Sequence, residues 1–382
     1  MKHILIFFHV KESLITLRNA ISRTSYTYAI KPLLFLKDPE KTHDMAIKIG
    51  SFLGAYKLTR TFVAFLLHYK NKKLEQNLFG ITFSNPVGLA GGFDKNAQLT
   101  NILPAIGFGH AEIGSITGEP CTGNPKPRLW RLKKSKALVI NYGLKNDGCE
   151  KIAKKLSGKK FEIPIGTNIA KTNCAKTVDT QQGIADYVKA YKQFSDIGAY
   201  NTINISCPNA FGGQPFTDAH KLNLLLTEIN NIKTTKPNFL KLSPDLTTKE
   251  LDAIITVAQK HTITGFICSN LTKKRTKQIK EKNVPEQGGI SGKIVQKKAL
   301  NQVKYLYEKT KGQYIIIGCG GISTAQEAYK MIKSGASLLQ LITGMIFEGP
   351  QVISEINQGL VKLLEKDSYK NISEAIGKNA NF

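Results

Sequence analysis

The stretch YIIIGCGGISTAQEAYKMIKSGASLLQLITGM, Tyr314–Met345, decides the fold. Two short apolar runs, YIIIG from Tyr314 and SLLQLIT from Ser337, flank a segment where Ala325, Ala328 and Ile332 recur at three-four spacing. Such runs between turn residues predict strands, and the periodic segment between them predicts an amphipathic helix. The strands are near-continuously apolar, as in a parallel sheet buried on both faces. The unit repeats upstream, in PVGLAGG (Pro86), AEIGSIT (Ala111), IPIGTNIA (Ile163), NTINIS (Asn201), NFLKLSP (Asn238) and TGFICSN (Thr264). Most are followed by helical patterns such as TKELDAIITVAQKH (Thr248–His261). Eight strands joined by helices over about 270 residues predict an α/β fold, a (β/α)8 TIM barrel rather than an open doubly wound sheet. Gly and small polar residues crowd the C-terminal strand ends, where such barrels place their chemistry.

The 382-residue chain is long enough to bury a large core, and 41% apolar with 21% charged residues suits a folded soluble protein. Its net charge of +26 has two readings. A phosphate-rich partner would favour such a field. Lysines scattered over solvated helix faces would produce it too, and the densest run, LTKKRTKQIKEK (Leu271–Lys282), holds no aromatics. The scattered pattern favours the second, so no nucleic-acid partner is expected. Cys121, Cys149, Cys174, Cys207, Cys268 and Cys319 form no C-x-x-C pair, and the histidines are too few and dispersed to complete a zinc site. No metal is expected, and a reducing cytosolic compartment fits. The apolar run Ile4–Phe8 is too short to span a bilayer, and no later run is long enough.

The division expected is a helical extension over 1–75 and the barrel over 76–382. In KTHDMAIKIGSFLGAYKLTRTFVAFLLHYKNKK, Met45, Ile49, Phe52 and Leu53, then Phe62, Phe65 and Leu66, fall at helical spacing, with Gly-Ala-Tyr at 54–56 as the joint. Residues 1–80 carry 13 Lys/Arg against 5 Asp/Glu, a net of +8. A basic hairpin with one apolar face can lie in a membrane interface. It can equally pack that face on the barrel.

GCGGIS (Gly318–Ser323) follows the seventh strand and TGM (Thr343–Met345) the eighth, the two positions that commonly form a phosphate cup. Lys95, Lys171 and Lys241 sit at strand ends. Lys241, inside the apolar FLKLSPD, must meet an anion to offset its desolvation. Asn141, Asn168, Asn204, Asn209 and Asn270 recur at the same ends, as recognition of a planar ligand with amide edges would require. Cys207, before Pro208 and between Asn204 and Asn209, is expected to face the barrel mouth as a thiolate of moderate pKa able to accept a proton. Cys268 and Cys319 read as inert core thiols.

Together NPVGLAGGFDKN, AEIGSITGEPCTGNPKPRLWRL, NISCPN, LKLSPDL, GGISG, IIGCGGI and GASLLQLITGMIFEGP resemble, in order, the dihydroorotate dehydrogenase family. The resemblance spans about residues 28–362. KPLLFLKDPEKTHDMA and NPKPRLWRL resemble the membrane-associated, quinone-reducing class (class 2). It implies FMN as cofactor, dihydroorotate and orotate as substrate and product in UMP synthesis, a quinone acceptor, and a peripheral site on the cytoplasmic face of a membrane reached through the hairpin. The family takes a proton from C5 of dihydroorotate and a hydride from C6, the hydride going to flavin N5. By the same resemblance Cys207 is the base, Lys95 binds the substrate carboxylate, and Asn141, Asn204, Asn209 and Asn270 hold the ring. Lys241 stabilises the reduced flavin, and Gly91, Gly92, Ser115, Asn168, Asn204, Ser269, Gly292, Gly321, Thr343 and Gly344 contact FMN.

Three features depart from the pattern. The quinone-reducing class usually has Ser at the base position, whereas Cys207 and the following NAFGGQPF resemble soluble members. INYGLKN is one residue shorter than the usual Asn-x-x-Gly loop, and Ile342 stands where Tyr is common. A soluble acceptor, fumarate or NAD, is therefore the alternative to quinone. A dihydrouridine synthase-like FMN barrel acting on tRNA is a rival enzyme. It would need an RNA-binding domain beyond the tail after Pro350, and Asn209 directly after Cys-Pro fits it less well. A non-catalytic polyanion- or membrane-binding barrel is the third reading.

Overall fold

The computed structural model describes residues 2–380, with side chains from Glu12 onward. Eight strands close into an all-parallel barrel: β1 (Val87–Leu89), β2 (His110–Ile116), β3 (Ile165–Ile169), β4 (Tyr200–Asn204), β5 (Asn238–Leu242), β6 (Gly265–Cys268), β7 (Ile315–Cys319) and β8 (Leu338–Leu341). Every residue of β3, β4 and β5 is buried, as the lack of apolar–polar alternation required. The opening stretch forms β7, a helix over Ala325–Lys333 and β8, and the register Leu339↔Val87 closes the barrel on β1. A β-hairpin, Gln76–Leu78 with Ile81–Phe83, brings Phe83 against Tyr200, Phe239 and Leu338 at the strand starts. A three-stranded antiparallel sheet, Leu129–Leu132, Ala137–Ile140 and Gly289–Gly292, forms from the segments after β2 and β6. The sequence reading had no place for it.

The N-terminal segment folds as α1 (Lys2–Ser25), a π-helical turn over Tyr26–Ile30, α2 (Lys31–Leu36), α3 (Pro39–Ala55) and α4 (Lys57–Leu67). Asp38 caps α3, its carboxylate accepting from Lys41 N at 2.9 Å, with Pro39 in the first turn. Extended Tyr56 separates α3 from α4, within the joint expected from Gly-Ala-Tyr. Gly50 and Gly54 share one face of α3. A Cβ at Gly50 would meet Leu99 at 2.6 Å and one at Gly54 would meet the Ile102 backbone at 3.2 Å, so these glycines let α3 lie directly on the barrel.

Polar contacts fix the docking. Glu40 of α3 and Arg128 pair at 2.7 Å with side chains 6% and 5% exposed, and Arg128 also donates to the carbonyls of Thr122 and Asn124 at 2.8 and 2.9 Å. Arg23 of α1 pairs with Glu348 and Glu355, and Arg18 donates to Ser354 at 2.8 Å, tying α1 to the last long helix, Val352–Lys366. The hairpin nevertheless leaves Leu17 and Ile21 of α1, Leu33 and Leu36 of α2, and Phe62 and Phe65 of α4 exposed. Among the described residues no helix is long and apolar enough to cross a membrane. Removing one partner of a buried pair strands the other charge, so Glu40→Ala is expected to cost about 3–5 kcal/mol of hairpin docking. Limited proteolysis of α3 and α4 should accelerate while the barrel core stays resistant, and Glu40→Leu with Arg128→Met should restore much of the protection.

Candidate active site

An open cleft of about 1230 Å³, mouth included, lies over the C-terminal ends of the strands. Its organisation starts from Glu112 of β2, which is fully buried. Thr202 Oγ1 donates to one carboxylate oxygen at 2.6 Å, and Asn168 Nδ2 donates to the other at 3.1 Å. Lys241 Nζ stands 3.6 Å from that second oxygen. The buried lysine that needed an anion has therefore found one within the protein.

An ionised carboxylate only accepts hydrogen bonds, so it orients every amide downstream. Asn168 turns Nδ2 to Glu112, which leaves its Oδ1 to accept from Ser115 Oγ and from Asn204 Nδ2 at 3.0 Å. Asn204 then points Oδ1 at Ser206 Oγ (3.0 Å) and at Asn270 Nδ2 (3.3 Å), and Asn270 Oδ1 accepts from Leu271 N at 2.9 Å. Ser115, Asn204, Lys241, Ser269 and Asn270 line the cleft, whereas Asn168 sits one layer behind.

Beside this network, Lys95 Nζ lies 4.0 Å above the Tyr142 ring and 3.3 Å from His43 Nε2. Burial pulls the ammonium down to about 7, partly offset by Asp44. His43 belongs to α3. Burial, reinforced by Lys95, holds it down to about 4. It is neutral at pH 7, and because the Phe93 carbonyl 2.9 Å away can only accept, Nε2 carries the proton. Tyr142 Oη is buried without a hydrogen-bond partner among the described residues and lines the same cleft.

Cys207 follows β4 on a loop held from several sides. Asn209 Nδ2 donates to Ile140 O at 2.8 Å, Asn124 Nδ2 to Asn209 O at 3.1 Å, Lys171 Nζ to Phe211 O at 2.7 Å and Gln214 Nε2 to Ser206 O at 2.9 Å. Gly212 and Gly213 take φ of +73° and +72°, consecutive left-handed residues that turn the loop back. Cys207 and Asn209 both line the cleft. The moderate thiol pKa expected from nearby lysines is not found: burial pushes Cys207 up to about 11, against the opposing Asn209 N–H and Lys171 charge. Cys268 is fully buried as expected, but Cys319 is partly exposed and lines the cleft. Asn141 lies outside the lining, its Oδ1 accepting from Asn124 Nδ2 at 3.0 Å.

The far end is built from backbone. A Cβ on Gly344 would lie 2.1 Å from Ile322 O, and one on Gly292 would lie 2.4 Å from Lys136 O, so these loops touch main chain to main chain. Gly292, Gly321, Ser323, Thr343 and Gly344 frame a small recess there. Lys136 and Lys293, beside it, already pair with Glu348 and Glu327. Its attraction for an anion therefore rests on N–H groups left open at the helix start over Thr343–Glu348. On the floor, a Cβ at Gly91 would approach Glu112 to 2.9 Å and Asn168 to 3.0 Å, so only glycine leaves this surface flat. Flat floor, buried cation and anion recess fit a planar, phosphate-bearing group. Sequence reading missed Glu112, although a carboxylate inside AEIGSIT was the same signal that singled out Lys241. It also missed His43, which meets Lys95 only through the docking of α3, and Tyr142, which reaches Lys95 from the loop after Ala137–Ile140.

Glu112→Gln would leave Lys241 buried beside a neutral amide. The loss expected is about 3 kcal/mol, read as a lower guanidinium midpoint at unchanged slope. Adding Lys241→Met should recover part of it.

Residues 73–364 match the family model described as dihydroorotate dehydrogenase. A dihydroorotate dehydrogenase (quinone) of Natronomonas pharaonis is 36% identical over 348 residues, 91% of this chain and 97% of that protein. One of Crocosphaera subtropica is 40% identical over 325 residues, 82% of this chain and 85% of that protein. The crystal structure of DHODH from Eimeria tenella in complex with ferulenol superposes with a TM-score of 0.80 at 30% identity, covering 90% of this chain and 96% of that one. With most of its length matched in sequence and in fold, the chain belongs to the dihydroorotate dehydrogenase family.

Proposed function

We propose that the cleft binds FMN, that Cys207 is the base, and that the electrons pass to a quinone. The chain oxidises dihydroorotate to orotate, the family's step in pyrimidine biosynthesis, with a flavin as cofactor. What carries the residue assignments is that Lys95, Cys207, Asn204, Asn209 and Asn270 line one cleft with the flat Gly91 floor and the Gly321–Thr343 recess.

FMN, when bound, would supply the acceptor for the hydride from C6 of the substrate. Lys95 supplies the cation for the substrate carboxylate, and that anion in turn stabilises its charged form. Asn204, Asn209 and Asn270 offer donors and acceptors to the ring edges, with Asn204 and Asn270 oriented by Glu112; Asn141 stands behind them. Cys207 takes the C5 proton. Lys241, held by Glu112, sets a positive charge at the edge of the slot. Gly91, Gly92, Ser115, Ser269, Gly292, Gly321, Thr343 and Gly344 make up the cofactor surface, with Asn168 behind it holding Ser115 and Asn204 in place.

The quinone reading draws support from the hairpin. His43 of α3, Leu129, Leu138, Ile140 and Ile346 line the same cleft, giving it an apolar side that meets the helices. Residues 1–75 are then an extension that guides an apolar acceptor, and the exposed apolar side chains of α1, α2 and α4 suit a peripheral seat on the cytoplasmic face of a membrane. The Cys207–Gln214 loop favours the second reading, a soluble acceptor, because it resembles the soluble members.

Anaerobic dihydroorotate should bleach the flavin of the wild type, and Cys207→Ala should retain flavin while slowing the bleaching by about 10²–10⁴. Two pH trends of opposite consequence are expected. The basic form of Cys207 is the thiolate, so the limiting bleaching rate should climb from pH 7 to 10. The binding form of Lys95 is the cation, lost as pH rises through about 7, so KM for dihydroorotate should rise over the same range. Reoxidation of the reduced enzyme by a quinone, fumarate and NAD in parallel tests the acceptor. Faster turnover with fumarate or NAD would replace quinone by a soluble acceptor.

A further inference from the structure

Cys207 lines two cavities. One is the substrate cleft; the other is a small recess behind it that also holds Lys171, Tyr187 and Gln214. Lys171 is 3% exposed, yet no carboxylate lies within ion-pair distance of it among the described residues. Its Nζ donates only to neutral oxygens, Phe211 O at 2.7 Å and Thr177 Oγ1 at 3.3 Å. The carboxylate in its neighbourhood, Asp186, is committed to Thr172 N and Oγ1 at 2.6 and 2.7 Å and to Gly118 N at 3.3 Å. A buried ammonium without an anion is costly, and the ionisable groups facing it besides Asp186 are the Cys174 and Cys207 thiols. Cys207 in turn faces Lys171, Lys273 and Cys121, with Tyr187 close by. Tyr187 is fixed as a donor to Asn204 O at 2.7 Å.

We propose that Lys171 is a positioning residue for the oxidation, the buried cation against which the Cys207 thiolate forms, and that the recess behind the thiol is the exit for its proton. The inference rests on Cys207 being the base. In the substrate step the C5–H bond breaks, its proton joins the sulfur, and the C6 hydride leaves for the flavin, giving orotate. The thiol then releases that proton to water through the recess, and the thiolate re-forms beside Lys171. Lys171 serves the reaction through a second element as well, because its bond to Phe211 O sets the path of the loop that carries Cys207.

Charge and anchoring can be separated in the flavin-loaded enzyme by comparing Lys171→Met, Lys171→Gln and Lys171→Arg. Gln keeps a donor for Phe211 O without charge; Arg keeps both. The direct readout is the pH profile of Cys207 alkylation by iodoacetamide, followed by peptide mapping. At a fixed alkaline pH the Met and Gln variants should alkylate about tenfold more slowly, a shift of about one pKa unit, with Arg close to wild type. Flavin reduction by dihydroorotate should follow the same order, while reduction by dithionite stays unchanged. Wild-type alkylation in the Met variant, or rescue by Gln equal to that by Arg, would overturn the proposal. Should Met lose flavin, the Gln and Arg pair decides. If wild-type flavin is not bleached by dihydroorotate, the base assignment fails on its own, and the alkylation series still decides whether Lys171 and Cys207 are paired.

Discussion

A carboxylate sealed in the middle of a parallel barrel is the constraint from which the rest of the site follows. Glu112 is fully buried, and ionised it must be met by donors on all sides. Thr202, Asn168 and Lys241, from β4, β3 and β5, supply them. Because Glu112 cannot donate, the amide of Asn168 has one permitted orientation, and that choice passes through Asn204 to Asn270. Four strands and the loop after β6 are thereby held in one hydrogen-bond direction. A network of this kind is rigid while complete and loses its direction when one member is neutralised. The amide edges facing the cleft are thus set before any ligand arrives.

The second constraint comes from outside the barrel. α3 approaches closely enough, over Gly50 and Gly54, that His43 and Glu40 become part of the cleft's surroundings. Glu40 neutralises Arg128 at the rim, and His43 packs edge-on against Phe93, with ring centroids 5.0 Å apart, while bonding its carbonyl. The cost falls on Lys95, left beside a neutral imidazole and an aromatic face with no carboxylate at ion-pair distance among the described residues. Its lowered pKa follows from that docking. A cation kept poorly compensated in the free protein would gain most from an incoming carboxylate, as the role proposed for Lys95 requires, and the hairpin sets that state as well as the apolar side of the cleft.

Much of this was legible in the sequence, for physical reasons. The eight strands were visible because burial on both faces removes polar residues from them, and those polar residues that stayed, such as Lys241 and Asn204, stood out as exceptions. The loop glycines were legible because main-chain contact admits nothing larger. Three features were not. The antiparallel sheet over Leu129–Gly292 joins segments far apart in the chain, and no local pattern announces such a pairing. The neighbours of Lys95 come from α3 and from the Tyr142 loop, so they are set by docking. The thiol of Cys207 was read from its neighbours' charges, but burial outweighs those charges at this depth.

The Cys207–Gln214 loop resembles soluble members of the family while the N-terminal hairpin resembles quinone-reducing ones, and the two meet the cleft through different elements. Cys207 and its anchors lie on the loop after β4, tied to Lys171, Asn124 and Gln214. The apolar side of the cleft is made by α3, the antiparallel sheet and the segment around Ile346. No direct hydrogen bond joins Cys207 to α3 among the described residues, and the loop meets the sheet chiefly through the Ile140 carbonyl. In a flavin enzyme the substrate and the acceptor exchange electrons with the same ring, so neither needs to touch the other's residues. Under the proposed assignment, a cysteine in place of serine changes the group that takes the proton from the substrate. On that assignment the residue type at the base position need not follow the acceptor, whose proposed approach is the side of the cleft that α3 completes.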